Sequence, residues 1–361
     1  MSAGVQWSEV VAAASPHGLA PLNGSSAGVG VVGYTLGGGM GPMGRTFGFA
    51  ADYVRRLQIV VADGTVLEVD ADYEPELFWA LRGGKCNIGI VTELEFGLMP
   101  VSEYYGGGIF YPGASAATVL HKFSSWVLTL PEQATTSIAL LRLPDLPDVP
   151  EPLRGRLSVH LRFVYIGDEA QGAALIAPMR EVAPPLVDVV ATTPYSAIAS
   201  VHQDPTDPLP AWDGSALLRE FPAAAVDALL ATAGPDVDIP LIMAEVRYLG
   251  GALARQPEVP NAVGGRDAAF SVYVVGRYPP ALHGIVDAAG EAVLAAVAPW
   301  STGHSQINFQ AYATEPEDIR RAWPAEVRER LLAVKEQWDS QGRFRFAYPL
   351  EGGSATGEVS A

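Results

Sequence analysis

The sequence predicts an α+β fold: a glycine-dense first unit, then an antiparallel sheet backed by helices. Two observations carry this. Segments with period-two alternation and segments with helical spacing are mixed along the chain. Glycine is concentrated early, at positions 28, 30, 33, 37, 38, 39, 41, 44 and 48. The composition, 49% hydrophobic and 17% charged over 361 residues, supplies apolar material for one large or two interlocked cores.

Taken in order, WSEVVAAA (7–14) reads as a short helix stopped by Pro16, His17 and Gly18. RRLQIVVADGTVLEVDA alternates as two strands with Asp63–Gly64 as their hairpin turn. EPELFWALRGG is a short helix with glycine just past its end, and NIGIVTELEFGLMPV returns as an apolar strand. After Pro100, TVLHKFSSWVLTL and EAQGAALIAPMREV have helical spacing, while TTSIALLRL, RLSVHLRFVYIG, IPLIMAEVRYLG and AAFSVYVVGRY alternate as strands. The Pro-rich stretches PDLPDVPEPLRG and HQDPTDPLPAW read as surface loops. A charged helix pair is expected over 315–338 and a disordered tail over 351–361. The resulting organisation is 1–100, 101–304, 305–350 and the tail.

The formal charge of −17 argues against nucleic acid or an anionic membrane as partner, since both need clustered Lys and Arg. The single cysteine, Cys86, allows no intrachain disulfide and no cysteine-based metal cluster. MSAGVQWSEVV lacks the basic and apolar regions of a signal peptide, and no uninterrupted apolar run reaches about 18 residues. These features predict a soluble, acidic, cytoplasmic protein. His202, His283 and His304 lack metal-ligand spacing, and no G-x-S-x-G elbow occurs. Gly28, Gly30 and Gly33 match a G-x-G-x-x-G spacing, but no clear strand leads in and no long helix leads out. Glu245 and Arg247 share a strand face by two-residue spacing and can pair.

The ordered run GSSAGVGVVGYTLGGGMGPMGRTFGFAADYV, then VVADGTVLEVDADYEPELFWALRGGKCNIGIVTELEF, resembles the PCMH-type FAD-binding domain of berberine-bridge-enzyme-like oxidoreductases, within the vanillyl-alcohol-oxidase superfamily. EVRYLGGALAR, SQINFQAY and WDSQGRFRF extend the resemblance toward the end of the chain, and 305–350 would return to the FAD domain. It implies an oxidoreductase acting on a small organic metabolite, of the kind found in secondary metabolism, with FAD as cofactor. It also implies a loop at Ser26, Gly28, Val29, Gly30 and Gly33 beside the flavin, with Tyr34 in place of a contacting histidine. Gly38, Gly39, Met40, Gly41 and Pro42 would approach the ribityl-pyrophosphate, where only a backbone without Cβ comes close. Asn87 and Ile90 would face the adenine, and Cys86 would be a buried small residue.

Two covalent tethers found in such enzymes are not matched here. Residues 1–25 contain no R-S-G-G-H-S-like turn, and Ser26 replaces the cysteine. The flavin is therefore expected to be non-covalent, the chain to lack the N-terminal FAD-binding subdomain, and a strand edge to need covering. The Y-x-N-Y base motif becomes Gln306-Ile307-Asn308-Phe309, which leaves Tyr248, Arg255, Asn308 and Tyr312 as candidate catalytic residues. Arg255 cannot act as a base; it would pair with an anionic substrate or reduced flavin, or be an ion-paired surface arginine. Alternatives are a flavin-free relative acting as a non-redox cyclase or ligand-binding protein, and a fragment that needs a partner chain to complete the FAD site; a homo-oligomer and a partner chain are the assemblies left open.

Overall fold

The hairpin expected at Asp63–Gly64 joins β1 (Val54–Val60) to β2 (Val66–Asp70) in antiparallel register. Gly64 turns with φ +90°, and Asp63 Oδ1 accepts from the Thr65 N–H at 2.8 Å. β3 (Ile90–Phe96) pairs with the other side of β1, giving the order β2-β1-β3. This is a computed structural model describing residues 1–85, 87–147, 149–205, 209–310, 319–344 and 350.

Alternation turns Leu57, Ile59, Val69, Val91 and Leu94 onto one face, where they pack with Trp7, Leu77, Phe78, Leu331 and Val334. Helices Trp7–Ala14, Val31–Leu36, Pro75–Leu81 and Ala325–Asp339 share this core. The last is anchored by Arg330, which pairs with Glu76 at 2.7 Å and lies 4.0 Å over the Trp79 ring. The outer edge of β3 is covered by the first residues: Ser2 bridges to Glu93, and the Ala3 N–H donates to Thr92 O at 2.7 Å.

The larger sheet contains β4 (Glu103–Pro112), β5 (Ala134–Arg142), β6 (Leu157–Tyr165), β7 (Val187–Asp188), β8 (Ala191–Pro194), β9 (Ala211–Leu218), β10 (Leu241–Tyr248) and β11 (Phe270–Arg277). Its order is β7-β4-β6-β5-β10-β11-β9, with β8 paired to β4, and every pairing is antiparallel. Ile138, Leu140, Leu161, Phe163, Val246, Val272 and Val274 form the apolar face, packed under helices Ala116–Trp126, Glu169–Arg180, Ala223–Ala233 and His283–Val297. This is the antiparallel sheet backed by helices that the alternation predicts. With its flanking turns, the last of these helices spans Pro280–Trp300, 21 residues apolar enough to cross a membrane by composition. The run is broken by His283, Asp287 and Glu291, and Val286, Val293 and Val297 pack onto the sheet.

Ile307–Phe309 forms a 3₁₀ turn. Of the helix pair expected over 315–338, the structure shows Ala325–Asp339; residues 315–318 lie outside the described residues, as do Cys86, Tyr312 and the tail 351–361.

The glycine-rich unit is latched to the large sheet by Arg45, from the short helix Gly44–Phe47. The side chain is buried; its Nε donates to Ala134 O at 2.7 Å, Nη1 to Leu249 O, and Nη2 to Leu130 O and Pro131 O at 3.4 Å each. The guanidinium also lies 4.0 Å over the Tyr248 ring. Arg45→Met would strand these buried carbonyls, each costing about 1–3 kcal/mol when unpaired. The expected loss is about 2–4 kcal/mol, read as a lower urea midpoint at an unchanged slope.

Candidate functional site

The strip 27–31 is pinned by its own backbone. Trp7 N–H donates to Val29 O at 3.1 Å, Ser8 N–H to Ala27 O at 2.9 Å and Val31 N–H to Val5 O at 3.0 Å. This fixes Ser25 to Gly33 as one wall of a cleft of about 680 Å³, whose opposite wall is the polar face of the large sheet. A Cβ built on Gly28, Gly30 or Gly33 would meet nothing within 4 Å. Gly30 and Gly33 line the cleft, so bare backbone faces it there.

Glycines further along do something different. A Cβ on Gly24 or Gly39 would fall 2.9 or 2.6 Å from the Tyr34 ring, and one on Gly41 would fall 2.0 Å from Asn23 O. Gly38 and Gly39 also have φ +100° and +80°. These glycines therefore make room for protein, chiefly the Tyr34 ring. The Trp7 ring meets that ring edge-on at 5.5 Å. Burial raises the Tyr34 phenol far above its ordinary value, an effect that Arg247 only partly opposes, so Tyr34 stays neutral. Its hydroxyl has no partner among the described residues.

The sheet wall is charged. Alternation on β5, β6, β10 and β11 brings Ser137, His160, Arg162, Glu245, Arg247 and Tyr273 to the face away from the helices. Glu245 is fully buried. Its Oε1 accepts from Ser137 Oγ at 2.7 Å and Arg162 Nη1 at 2.5 Å, and its Oε2 from Arg247 Nε at 2.8 Å. Burial alone would raise this carboxyl; Arg247 and Arg162 outweigh burial and hold it well below the usual carboxylate range. His202 Nε2 lies 3.9 Å from Glu245 Oε1, and burial together with Arg162 pushes its imidazole well below its ordinary value. Tyr273 donates to Asp213 at 2.7 Å and meets Phe309 edge-on at 4.9 Å.

Comparison with known proteins bears directly on this cleft. A family model described as an FAD binding domain matches residues 1–70. These residues carry the bare-backbone wall. Residues 1–70 are thus similar to an FAD binding domain. A curated relative, the FAD-dependent monooxygenase prx3 of Penicillium roqueforti, is 32% identical over 128 residues, covering 36% of this chain and 25% of its own. The chain thus spans about a quarter of that relative's length. Among solved structures, 6-hydroxy-D-nicotine oxidase from Arthrobacter nicotinovorans superposes with a TM-score of 0.82 at 23% identity, over 97% of this chain and 78% of that one. The berberine-bridge-like protein 1 (variant D396N) of Physcomitrella patens gives 0.80 at 20% identity, over 98% of this chain and 78% of that one. At these identities the likeness is one of fold, and it agrees with the PCMH-type α+β architecture read from the sequence.

The open wall at Gly30 and Gly33 fits a planar ring laid against backbone. Of the residues singled out from the sequence, Ser26, Val29, Gly30, Gly33, Tyr34, Met40 and Asn308 line the cleft; Gly28 is exposed beside it. Asn308 Nδ2 donates to Tyr34 O at 2.9 Å. Gly38, Gly39, Gly41 and Pro42 do not line the cleft, because Val263, Tyr34 and Asn23 occupy the space beside the three glycines. Asn87 is buried away from the cleft, donating to Gly84 O at 3.0 Å, and Ile90 is 60% exposed on β3. Tyr248 packs on Arg45 and Phe270 outside the cleft. Arg255 is exposed and pairs with Glu132 at 2.7 Å, so its place is the surface one. Sequence reading missed Lys85, Arg162, His202, Met243, Tyr273 and Phe309 as lining residues. The signal for Arg162 was present: Ser158, His160 and Arg162 alternate through an otherwise apolar strand.

Two outcomes follow from this geometry. Gly33→Ala should leave the unfolding free energy in urea within about 0.5 kcal/mol of wild type and weaken FAD binding, whereas Gly39→Ala, at positive φ against Tyr34, should cost about 1–3 kcal/mol. Glu245→Gln leaves two buried arginines short of charge and should cost about 3 kcal/mol at pH 7. Because the folded carboxyl is held below its ordinary 4.5, its stabilisation is complete above that pH and is lost as pH falls through the folded value. Urea midpoints of wild type and E245Q should therefore converge as the solution is acidified.

Proposed function

We propose that this chain forms the cofactor-facing and substrate-facing parts of an FAD-dependent oxidoreductase for small organic molecules, with FAD held non-covalently. The observation that carries this reading is the cleft: bare backbone at Gly30 and Gly33 on one wall, and a buried cationic cluster on the other, enclosing about 680 Å³. That volume suits a ring system together with a small substrate. FAD, when bound, supplies the redox chemistry by accepting a hydride from a substrate C–H bond. The chain's own residues position and shield. Ser26 on the cleft wall offers no thiol for a bond to the ring. Asn308 holds the backbone of Tyr34, and Lys85 Nζ donates to Gly33 O at 3.0 Å, so both fix the wall against which the ring would lie. Leu141, Leu143, Met243 and Val275 exclude water from the far end.

Equilibrium dialysis of the full chain against FAD tests this directly. Saturable binding near one FAD per chain is expected, with all flavin released to the supernatant on acid precipitation. Arg255→Ala, on the surface, should bind FAD as wild type does. Absence of saturable binding would contradict the cofactor reading; flavin pelleting with the polypeptide would contradict non-covalent attachment.

A further inference from the structure

Arg247 is held from behind by Glu245. Its Nε and Nη2 each lie 2.8 Å from Glu245 Oε2, and its guanidinium is 4.8 Å from the Phe309 ring centre. Nη1 has no protein partner among the described residues. Arg162, which also lines the cleft, uses Nη1 on Glu245 Oε1 and Nε on His160 Nδ1 at 3.2 Å. One carboxylate therefore serves two guanidiniums. Lys85 adds a third cation from the opposite wall, and Asp204, bound by Ser25 Oγ at 2.5 Å, adds a second carboxylate. Among the described residues, Arg162, Arg247 and Lys85 thus bring three cations to the cleft, with Glu245, Asp204 and, through Tyr273, Asp213 as the nearby carboxylates. The side chain of His202 is only 9% exposed, lines the same cleft, and has an Nδ1 without a partner among the described residues.

Beyond the cluster the wall turns apolar through Leu141, Ile242, Met243 and Val275. A neutral or cationic ligand would leave the Arg247 donor unsatisfied, whereas a carboxylate supplies an acceptor and a charge in a partly desolvated place.

We propose that Arg247 binds the carboxylate of the substrate, a small carboxylic acid with an apolar body. This rests on the oxidoreductase reading of the same cleft. Arg162 and Glu245 act as positioning residues, holding the Arg247 fork so that Nη1 faces the cleft. The FAD phosphates are the other source of anionic oxygens that could reach this cluster.

The test is calorimetric titration of the full chain with benzoate and with its neutral isostere benzamide, with and without saturating FAD. Expected are at least tenfold tighter binding of benzoate, persistence of that preference with FAD present, and loss of the preference in Arg247→Met with benzamide unaffected. Arg247→Lys should recover part of it. Equal affinities in the wild-type chain would overturn the proposal without any recourse to variants. Displacement of benzoate by FAD would also overturn it, assigning the cluster to the cofactor's phosphates. FAD content, measured on the same samples, separates the two readings: benzoate preference without FAD binding leaves the anion site standing and removes the flavin, and the reverse leaves only the flavin.

Discussion

One buried carboxylate, Glu245, makes the charged wall of the cleft possible. Two guanidiniums taken out of water side by side would repel each other and lose hydration worth several kcal/mol per ion. Glu245 offsets both costs because each of its oxygens takes a different arginine, and Ser137 fills a remaining acceptor site. The three partners come from three adjacent strands, so the charge network also reports correct sheet register: Glu245 stands opposite Ala139 on β5, which stands opposite His160 on β6. A slip of one residue would turn Arg162 and Glu245 into the helix-backed core.

The opposite wall rests on a division of labour among glycines. Gly24, Gly39 and Gly41 yield space to the protein's own Tyr34 and Asn23, which stiffens the segment. Gly30 and Gly33 yield space to nothing in the chain, and so leave backbone open to a ligand. The Arg45 latch keeps the glycine-rich unit and the sheet together, which preserves the width of the cleft between them. Rigid walls on both sides are what a planar ring requires if it is to be held without a covalent bond.

Much of this architecture is legible in the sequence, because it follows from periodicity and local chemistry. The Asp63–Gly64 hairpin, the Pro75–Leu81 helix and the four long alternating strands of the large sheet all stand where alternation or caps put them. The flavin resemblance was legible because a long ordered motif carried it. The individual contacts were not. Arg162 and Glu245 meet across 83 residues, through a register set by β5 between them. Gly39 and Gly30 look alike as letters; only the position of the Tyr34 ring separates a packed glycine from an open one. Arg255 follows a motif that resembles a catalytic one, yet the turn at Gly251–Ala254 carries it to the surface beside Glu132.

The central claim is that FAD lies between these two walls and touches both. Hydrogen–deuterium exchange of the full chain, with and without saturating FAD, measures this at peptide resolution. Slowed exchange is expected in the Ser26–Gly37 peptides and, in the same sample, in peptides from β6 and β10 that carry Arg162 and Arg247. Protection restricted to the glycine segment, or absent from it, would contradict a cofactor held between the two walls.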